Sequence, residues 1–427
     1  MQPIASELTR RSFLEGGATV ATAALAPFAL PRRITPGGAE TLRVGLVGCG
    51  GRGTGAAADA LRADPNVKLV ALGDTFADHL ESSLKSLGGE ADLKDKLDVP
   101  PERRFVGFDA YLRVIEASDV VLLCTTPHFR PLHMRAAVEA GKHLFVEKPV
   151  ATDAPGVRSI LESARIAREK QLNVVSGLCY RYHFAKRAVM ERVHGGDIGE
   201  IVAMQTTYNT GGLWHRGRKD GWSDMEWQIR NWLYFTWLSG DHIAEQHIHS
   251  LDKIAWAMKD EMPAKATSSG GRVQRTDPMY GNVYDHFNTV YEWKNGVRAF
   301  SSCRQWNGAS SDVSDFVFGT QGTASLQGHE IRGAKSWRWR SEEEDNMYQN
   351  EHDALFAAIR AGKVIDNSQY MANSTLMAIM GRMAAYTGQT ITWEQALNST
   401  EDLAPKSYAW GAAPAAEVAV PGVTKFA

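Results

Sequence analysis

The stretch LRVGLVGCGGRGTGAAADAL, residues 42–61, joins an apolar strand pattern, a glycine-rich turn and an alanine-rich helix pattern. The turn has the G-x-G-x-x-G spacing, with Gly48, Gly50 and Gly53 at the glycine positions and Cys49, Gly51 and Arg52 at the variable positions. Glycines at a strand–helix junction permit a tight turn and close approach of a pyrophosphate, while the helix N-terminus offers free N–H groups to the phosphates. The stretch therefore predicts a dinucleotide-binding turn.

A second strand pattern, VKLVALG at residues 67–73, ends in Asp74. An acidic residue roughly 20 positions past the glycines accepts hydrogen bonds from the adenosine ribose. A carboxylate there favours NAD over NADP, because a 2′-phosphate would meet like charge. Arg52 can offset that repulsion, so NADP stays possible.

Two more apolar runs, residues 120–124 and 143–146, alternate with helix patterns. Such alternation predicts a parallel sheet, and ligands bind at the carboxyl ends of its strands. We therefore expect residues 41–176 to form a Rossmann domain in an α/β protein. Its nucleotide site should also include residues that follow these two strands: Thr125, Thr126, Pro127, His128, His133, Glu147 and Lys148.

The second half of the chain has strand patterns that follow one another without intervening helices. Residues 201–210 alternate, and residues 283–306 contain two strand patterns around Asn295-Gly296, a strong hairpin signal. Consecutive strands predict an antiparallel arrangement. We expect residues 177–400 to form an α+β domain with a large, mostly antiparallel sheet, and residues 401–427 to be a C-terminal tail.

The glycine turn, the Thr-Thr-Pro-His segment that leads to His133 and above all Glu147-Lys148-Pro149 resemble the Gfo/Idh/MocA oxidoreductase family, named for glucose–fructose oxidoreductase and inositol dehydrogenase. The resemblance implies that Lys148 is a catalytic residue beside the nicotinamide. It also implies that the second domain binds the substrate.

The family's Asp-x-Gly-x-His-x-x-Asp segment is matched by residues 245–252, with two departures. His249 stands at the family's histidine, whereas Glu245 replaces the first aspartate and His247 replaces the glycine. We expect Lys148 and His249 to share the proton transfer, with Glu245 holding or tuning His249. A helix would put Glu245 and His249 on one face and His247 elsewhere, so we expect no metal site; an extended segment would align all three.

Residues 214–256 hold six of the twelve tryptophans, interleaved with charged residues. Indole faces suit the C–H faces of sugar rings, and charged groups suit hydroxyls, so this segment predicts a carbohydrate or polyol substrate. The alternative is an aromatic cluster that packs the two domains together or forms a subunit contact. The predicted substrate residues are Tyr180, Arg181, Tyr182, Trp214, His215, Arg230, Trp232 and His247.

Three functions fit this combination. The first is a sugar or polyol oxidoreductase that retains NAD(P). The second is an NAD-dependent glycosidase that oxidises, eliminates, hydrates and reduces its substrate, using Tyr180, Tyr182 and His247 as extra acid/base groups. The third is a non-catalytic sugar-binding protein.

The composition excludes other classes of protein. Lys and Arg number 47 against 49 Asp and Glu, which gives no electrostatic reason to expect a nucleic-acid partner. The four cysteines are far apart, which argues against a disulfide scaffold or a zinc ribbon. We expect a homo-oligomer without a membrane span.

The N-terminus resembles a twin-arginine export signal. Thr9-Arg10-Arg11-Ser12-Phe13-Leu14 precedes a mildly apolar stretch, residues 16–31, that is too short for a stable membrane span. We expect residues 1–40 to be signal and linker, and the protein to be exported to the periplasm. Such a protein folds before export and has to hold its cofactor tightly.

Overall fold

The computed structural model describes residues 38–341 and 344–427. The predicted export signal lies outside these residues. Within the described part of the chain, no helix is both long enough and apolar enough to cross a membrane.

The first domain is a parallel sheet with strand order β3-β2-β1-β4-β5-β6. Its strands are β1 (Leu42–Val47), β2 (Val67–Asp74), β3 (Arg104–Val106), β4 (Val120–Leu123), β5 (His143–Val146) and β6 (Val174–Ser176). The helices between them are α1 (Gly51–Arg62), α2 (Ala77–Gly89), α3 (Ala110–Ala117), α4 (Arg130–Glu139) and α5 (Ala154–Glu169). Central strands are apolar throughout because helices cover both faces, and β4 is wholly buried.

The second domain is built on a larger sheet with strand order β14-β13-β12-β11-β7-β10-β9-β8-β15. Its strands are β7 (Ile201–Thr210), β8 (Lys265–Gly271), β9 (His286–Glu292), β10 (Arg298–Gln305), β11 (Asp312–Gly319), β12 (Gly322–Ser325), β13 (Glu330–Gly333), β14 (Trp337–Arg338) and β15 (Ile391–Thr392). Neighbouring strands pair antiparallel except β7 and β10, which are parallel. The predicted fold class is confirmed.

Helices of the second half lie before, within and after this sheet. They are α6 (Phe184–His194), α7 (Asp224–Arg230), α8 (Thr236–Ser239), α9 (His242–Glu245), α10 (Ile248–Ala257), α11 (Met347–Ala361), α12 (Ser368–Thr387) and α13 (Trp393–Asn398). Helix α12 is buried along most of its length against the second sheet.

Helix α11 returns to the first domain although it follows the second sheet in sequence. Its Leu355, Phe356 and Ile359 share one buried cluster with Leu46 of β1 and Leu122 of β4. The core of the nucleotide domain is therefore completed by a helix from the far end of the chain.

Candidate active site

The glycine turn fits a diphosphate. Gly48 has φ +96°, and a Cβ at Gly53 would lie 1.8 Å from the Gly48 carbonyl oxygen, so both positions require glycine. A Cβ at Gly50 or Gly51 would meet nothing within 4 Å. Helix α1 begins at Gly51 without a side-chain cap, so its first N–H groups face this open space.

Asp74 lies at the carboxyl end of β2 beside that turn. One carboxylate oxygen accepts the Cys49 N–H at 2.7 Å, and the other accepts the Phe76 N–H at 2.9 Å and lies 3.2 Å from His79 Nδ1. A carboxylate has about four acceptor sites. One remains for a ribose hydroxyl, so the same side chain can brace the glycine turn and bind the sugar.

Arg52 does not lie where a 2′-phosphate would need it. Its guanidinium donates to Glu147, at the end of β5, and to Glu351 of α11 at 2.9 Å. These contacts point it toward the β5 side of the site, three strands from β2 in the sheet order. The expectation that Arg52 offsets the charge of Asp74 is therefore wrong: the arginine is held by two buried carboxylates.

Buried side chains support the segment that follows β4. Arg130 donates to the carbonyl oxygens of Thr125 and Pro149, and His133 packs its ring against Tyr111 with centroids 4.2 Å apart. Burial lowers the pKa of His133 to about 3. His133 is thus a neutral support behind the segment. Arg130 was missed by the sequence analysis, and it fixes the loops after β4 and β5 together.

Thr126 and His128 complete this segment. The Thr126 hydroxyl is buried and has no hydrogen-bond partner among the residues that the structure describes, as expected of a group that a bound molecule would satisfy. Pro127 is buried and begins a short 3₁₀ turn. His128 lies edge-on to Trp237, with ring centroids 5.0 Å apart, and so contacts the second domain.

Lys148 lies at the point where the two domains meet. It follows β5, and the Lys148–Pro149 peptide bond is cis. Its ammonium donates to the backbone carbonyl of Glu245 and lies 3.4 Å from Glu245 Oε1. The two side chains are 15% and 17% exposed, so the pair is largely shielded but open to a ligand.

His249 faces the same pair from the first turn of α10. Burial lowers its pKa well below the ordinary value, and the charge of Lys148 adds to the effect. Its Nδ1 has no hydrogen-bond partner in the described part of the chain. The site therefore offers an ammonium, a carboxylate and a neutral imidazole with an unused nitrogen.

His247 points away from this group. The segment is not one continuous helix, because α9 ends at Glu245 and α10 begins at Ile248. The His247 ring is fully buried, and its Nε2 lies 2.7 Å from the Ser301 hydroxyl of β10. It supports the sheet, and no cluster of three or more His, Cys, Asp or Glu residues suited to a metal ion occurs among the described residues.

Tyr180 lies beside His249, with ring centroids 5.1 Å apart. The ammonium groups of Lys186 and Lys253 lie 4.6 and 4.5 Å from the centroid of the Tyr180 ring. Tyr208 of β7 belongs to the same neighbourhood, and burial raises its pKa to about 12, with Tyr180 and Glu245 adding to the effect. Both lysines and Tyr208 were missed by the sequence analysis because they are distant in sequence from every motif.

Arg181 and Tyr182 have structural contacts. Arg181 donates at 2.9–3.1 Å to Asp252, the last residue of the family segment, and also to Asp260. The Tyr182 hydroxyl donates to Asn367 at 2.7 Å. The donors of Arg181 are directed at carboxylates, so the structure corrects its assignment to the substrate. Tyr182 is buried and likewise faces the interior.

The tryptophan-rich segment forms an aromatic cluster of its own. Met225, Leu233, Tyr234, Phe235 and Trp237 are buried together, with Trp232 packed at the edge. His215 Nε2 lies 3.0 Å from the Met279 carbonyl oxygen, and the Arg216 guanidinium lies over the Trp214 ring. This arrangement corresponds to the alternative interpretation, in which the aromatic residues pack the domains together.

Arg230 lies over the end of β2 and not at Lys148. Its guanidinium is 3.8 Å from the Phe76 ring centroid and pairs with Asp78. Strand β2 is three places from β5, roughly 14 Å at about 4.8 Å per strand. A cavity of about 440 Å³ adjoins it, lined by Asp78, Arg216, Gly217, Lys219, Trp222 and Arg230. The structure therefore places Arg230 away from the catalytic group.

The fold and the site define a class of two-domain proteins, in which a dinucleotide-binding sheet meets a large antiparallel sheet at a lysine–histidine pair. An oxidoreductase family with an NAD-binding Rossmann fold, GFO/IDH/MocA, matches residues 42–177, and the GFO/IDH/MocA C-terminal domain matches residues 187–325. The chain belongs to this family. NAD is the family's cofactor, which confirms the predicted cofactor.

Relatives of this chain act on different compounds. Inositol 2-dehydrogenase 3 of Saccharopolyspora erythraea is 26% identical over 295 residues, which cover 67% of this chain and 73% of that protein. A glycosyl hydrolase family 109 protein of Streptomyces coelicolor is 28% identical over 220 residues, 51% of this chain and 43% of that protein. The solved structure of levoglucosan dehydrogenase with NADH and levoglucosan has a TM-score of 0.63 at 16% identity, over 83% of this chain and 99% of that one.

Proposed function

We propose that this protein oxidises a hydroxyl group of a sugar or polyol, with NAD⁺ held tightly in the first domain. The observation that carries the proposal is the contact of Lys148 with Glu245, across the two domains, beside the neutral imidazole of His249. An alcohol oxidation has to remove a proton from the hydroxyl as well as a hydride from the carbon. This group of side chains is suited to removing the hydroxyl proton.

The unused Nδ1 of His249 accepts the hydroxyl proton in this proposal. A neutral imidazole is ready to accept a proton, and the low pKa of His249 keeps it neutral at ordinary pH. The Lys148 ammonium stabilises the negative charge that develops on the substrate oxygen. Glu245 positions Lys148 through its backbone carbonyl and its carboxylate.

The residues present fit the diphosphate and the adenosine ribose of the cofactor. The open space at Gly50 and Gly51 suits the diphosphate, and Asp74 suits the adenosine ribose. When bound, NAD⁺ accepts the hydride at its nicotinamide ring. Asp74 is not neutralised by Arg52, so we propose a preference for NAD over NADP.

The test uses the purified protein and a panel of polyols and sugars. Nucleotide released on denaturation is measured by absorbance, and turnover is followed as NADH formation or as exchange between a sugar and an oxidised sugar. The proposal expects both a bound dinucleotide and one of these turnovers. Binding of sugar without either turnover would instead support a non-catalytic sugar-binding protein.

A redox-neutral glycosidase is the second candidate, and the glycosyl hydrolase family 109 relative is the observation that favours it. That reaction needs additional acid/base groups. Of the three predicted for it, His247 is held by Ser301 and Tyr182 by Asn367, which leaves Tyr180. Aryl glycosides distinguish the two functions: the glycosidase releases aglycone without net NADH.

We also propose that the chain is exported through its twin-arginine segment. The cofactor would then have to be bound before export and regenerated in place, which agrees with tight retention. Replacing Arg10 and Arg11 by lysine should leave the folded protein in the cytoplasm, whereas the parent chain should be recovered from the periplasm. Equal distribution of both proteins would contradict this proposal.

We also propose that the protein forms a homo-oligomer in which subunits contact one another through the outer face of the second sheet. Phe300 is 51% exposed, and Phe316 and Phe318, which lie on the same face of the sheet across β7, stack with ring centroids 6.2 Å apart. Exposed apolar residues that cluster on one face mark an interaction surface. Phe300→Lys should convert the oligomer into monomer in light scattering, and a parent protein that is already monomeric would contradict the proposal.

A further inference from the structure

The C-terminal tail, for which the sequence suggested no role, contacts residues that follow β2, β3 and β4 of the first domain. Trp410 stacks on Phe76 with ring centroids 5.6 Å apart and lies 4.9 Å from Phe108. The Tyr408 hydroxyl lies 2.9 Å from His128 Nε2. Residues 402–414, called the strap from here on, therefore contact the first domain through side chains.

The strap is also tied to the second domain, through its backbone. The Gly411 carbonyl accepts the Met225 N–H at 3.0 Å, and the Pro414 carbonyl accepts from the Gln228 side chain at 3.0 Å. At its beginning, the Leu403 N–H donates at 3.0 Å to Asp153, which belongs to the first domain. The strap thus bridges the two domains.

The residues under the strap mark one end of the dinucleotide site. Phe76 follows Asp74 at the end of β2, Phe108 follows β3, and His128 follows β4. The adenosine half of a dinucleotide lies over the β1–β3 half of the sheet, next to the acidic residue that binds its ribose, and β4 begins the other half. The nicotinamide end, at Lys148, lies on the other side of β1 and β4.

We propose that the strap forms the outer wall of the adenosine subsite and has to separate from Phe76, Phe108 and His128 before the cofactor can exchange. The inference rests on the proposed function only through the bound dinucleotide. Trp410 and Tyr408 are 49% and 39% exposed, so their contacts lie at the surface. Surface contacts of this kind open locally without unfolding the rest of the protein.

The exposed aromatic side chains of the strap thereby set how long the cofactor stays bound. Burial lowers the pKa of His128 to about 4, so its ring is neutral at ordinary pH and the Tyr408 contact is a hydrogen bond without ionic character. Salt should therefore affect the contact between Tyr408 and His128 little. Stacking and shape, which Trp410 provides, should matter more.

The experiment measures NADH dissociation from the full-length protein. The protein is loaded with NADH, mixed with excess NAD⁺, and followed by NADH fluorescence. Trp410→Ala should raise the dissociation rate constant about tenfold. Trp410→Phe keeps an aromatic ring and should stay near the parent value, and Val423→Ala, also in the tail but beyond the strap, should not change the rate.

Two different failures are distinguishable. If Trp410→Ala dissociates at the parent rate or more slowly, the strap does not retain the cofactor and the inference is overturned. If the parent protein binds no NADH at all, the proposed function fails and the strap inference fails with it. Hydrogen exchange of residues 402–414 provides a second readout: bound NADH should slow it in the parent protein, and unchanged exchange would overturn the inference.

Discussion

At the scale of single residues, Lys148 is the side chain on which turnover should depend. Lys148→Ala removes the ammonium but leaves the glycine turn and Asp74 intact, so we expect dinucleotide to remain bound. Turnover should fall by about 10² or more, the range associated with loss of one group that stabilises developing negative charge. The measurements are released nucleotide and steady-state rate, with the exposed Lys85→Ala as control. Unchanged turnover would refute the assignment.

A second prediction concerns His249, whose pKa is lowered first by burial and then by the charge of Lys148. Lys148→Met removes that charge and keeps the apolar stem. The His249 pKa should therefore rise toward its ordinary value, although burial still holds it below. NMR titration of the imidazole resonances measures it. A pKa that does not move would mean that the ammonium and the imidazole are too far apart to cooperate.

The sequence predicted residues best where a motif requires one backbone geometry. Gly48 and Gly53 could be identified because a side chain would collide there. Lys148 was singled out by the family resemblance of Glu147-Lys148-Pro149, at the end of a buried strand. Arg52 and Arg181 were misassigned because their partners, Glu351 and Asp252, are far away in sequence. A charged residue beside a motif does not reveal where its partner will be.

At the scale of secondary-structure elements, the ion pair between Arg181 and Asp252 joins the segment after β6 to α10. The side chains are 9% and 1% exposed. Arg181→Met would leave Asp252 as a buried, uncompensated charge, so we expect the free energy of unfolding to fall by about 3 kcal/mol or more. Urea denaturation measures it.

The controls for this variant separate structure from substrate binding. Arg165→Met breaks pairs on the surface of α5 and should leave stability unchanged within error. The double variant Arg181→Met/Asp252→Leu should recover part of the loss, because no lone charge remains. A raised KM at an unchanged free energy of unfolding would instead indicate that Arg181 binds the substrate.

Elements with strong local signals were predictable. The Asn295-Gly296 turn was expected to join two strands, and it joins β9 to β10 with Gly296 at φ +87°. The point at which α9 begins was not predictable, because it depends on partners that are distant in sequence. Asp241 directly precedes α9, and its buried carboxylate accepts from the N–H groups of His242 and Tyr284 and from the Tyr386 hydroxyl.

At the scale of the whole molecule, buried neutral histidines should make the fold sensitive to acid. Burial lowers the pKa of His133 and His247 to about 3, and of His128 and His143 to about 4. The unfolded chain, near pKa 6.5, binds these protons first. Their contribution to stability is therefore complete above about pH 6.5 and is lost as the pH falls toward 4.

This predicts a free energy of unfolding that declines between pH 6.5 and pH 4. His143→Gln should reduce the steepness of that decline, whatever its effect on stability at neutral pH. Urea denaturation at several pH values measures both, and the region from pH 7 to 8 provides the control, since the slopes should agree there. Identical slopes below pH 6.5 would contradict the role of His143.

The two-domain organisation was predictable because the hydrophobic pattern changes from alternating strands and helices to consecutive strands. The arrangement of the domains around the site was not. The aromatic cluster, the strap and α11 all depend on contacts between segments more than 100 residues apart, such as Trp410 with Phe76. No local sequence pattern specifies which distant segment an aromatic residue will pack against.

The return of α11 to the first sheet has a consequence for biosynthesis. Leu355, Phe356 and Ile359 cover strands β1 and β4, which leave the ribosome about 230–310 residues earlier. At roughly 5–20 residues per second, these strands stay uncovered for on the order of 10–60 s. The nascent chain thus presents an incomplete first half to chaperones, and a gene fragment that ends after residue 177 should yield insoluble product.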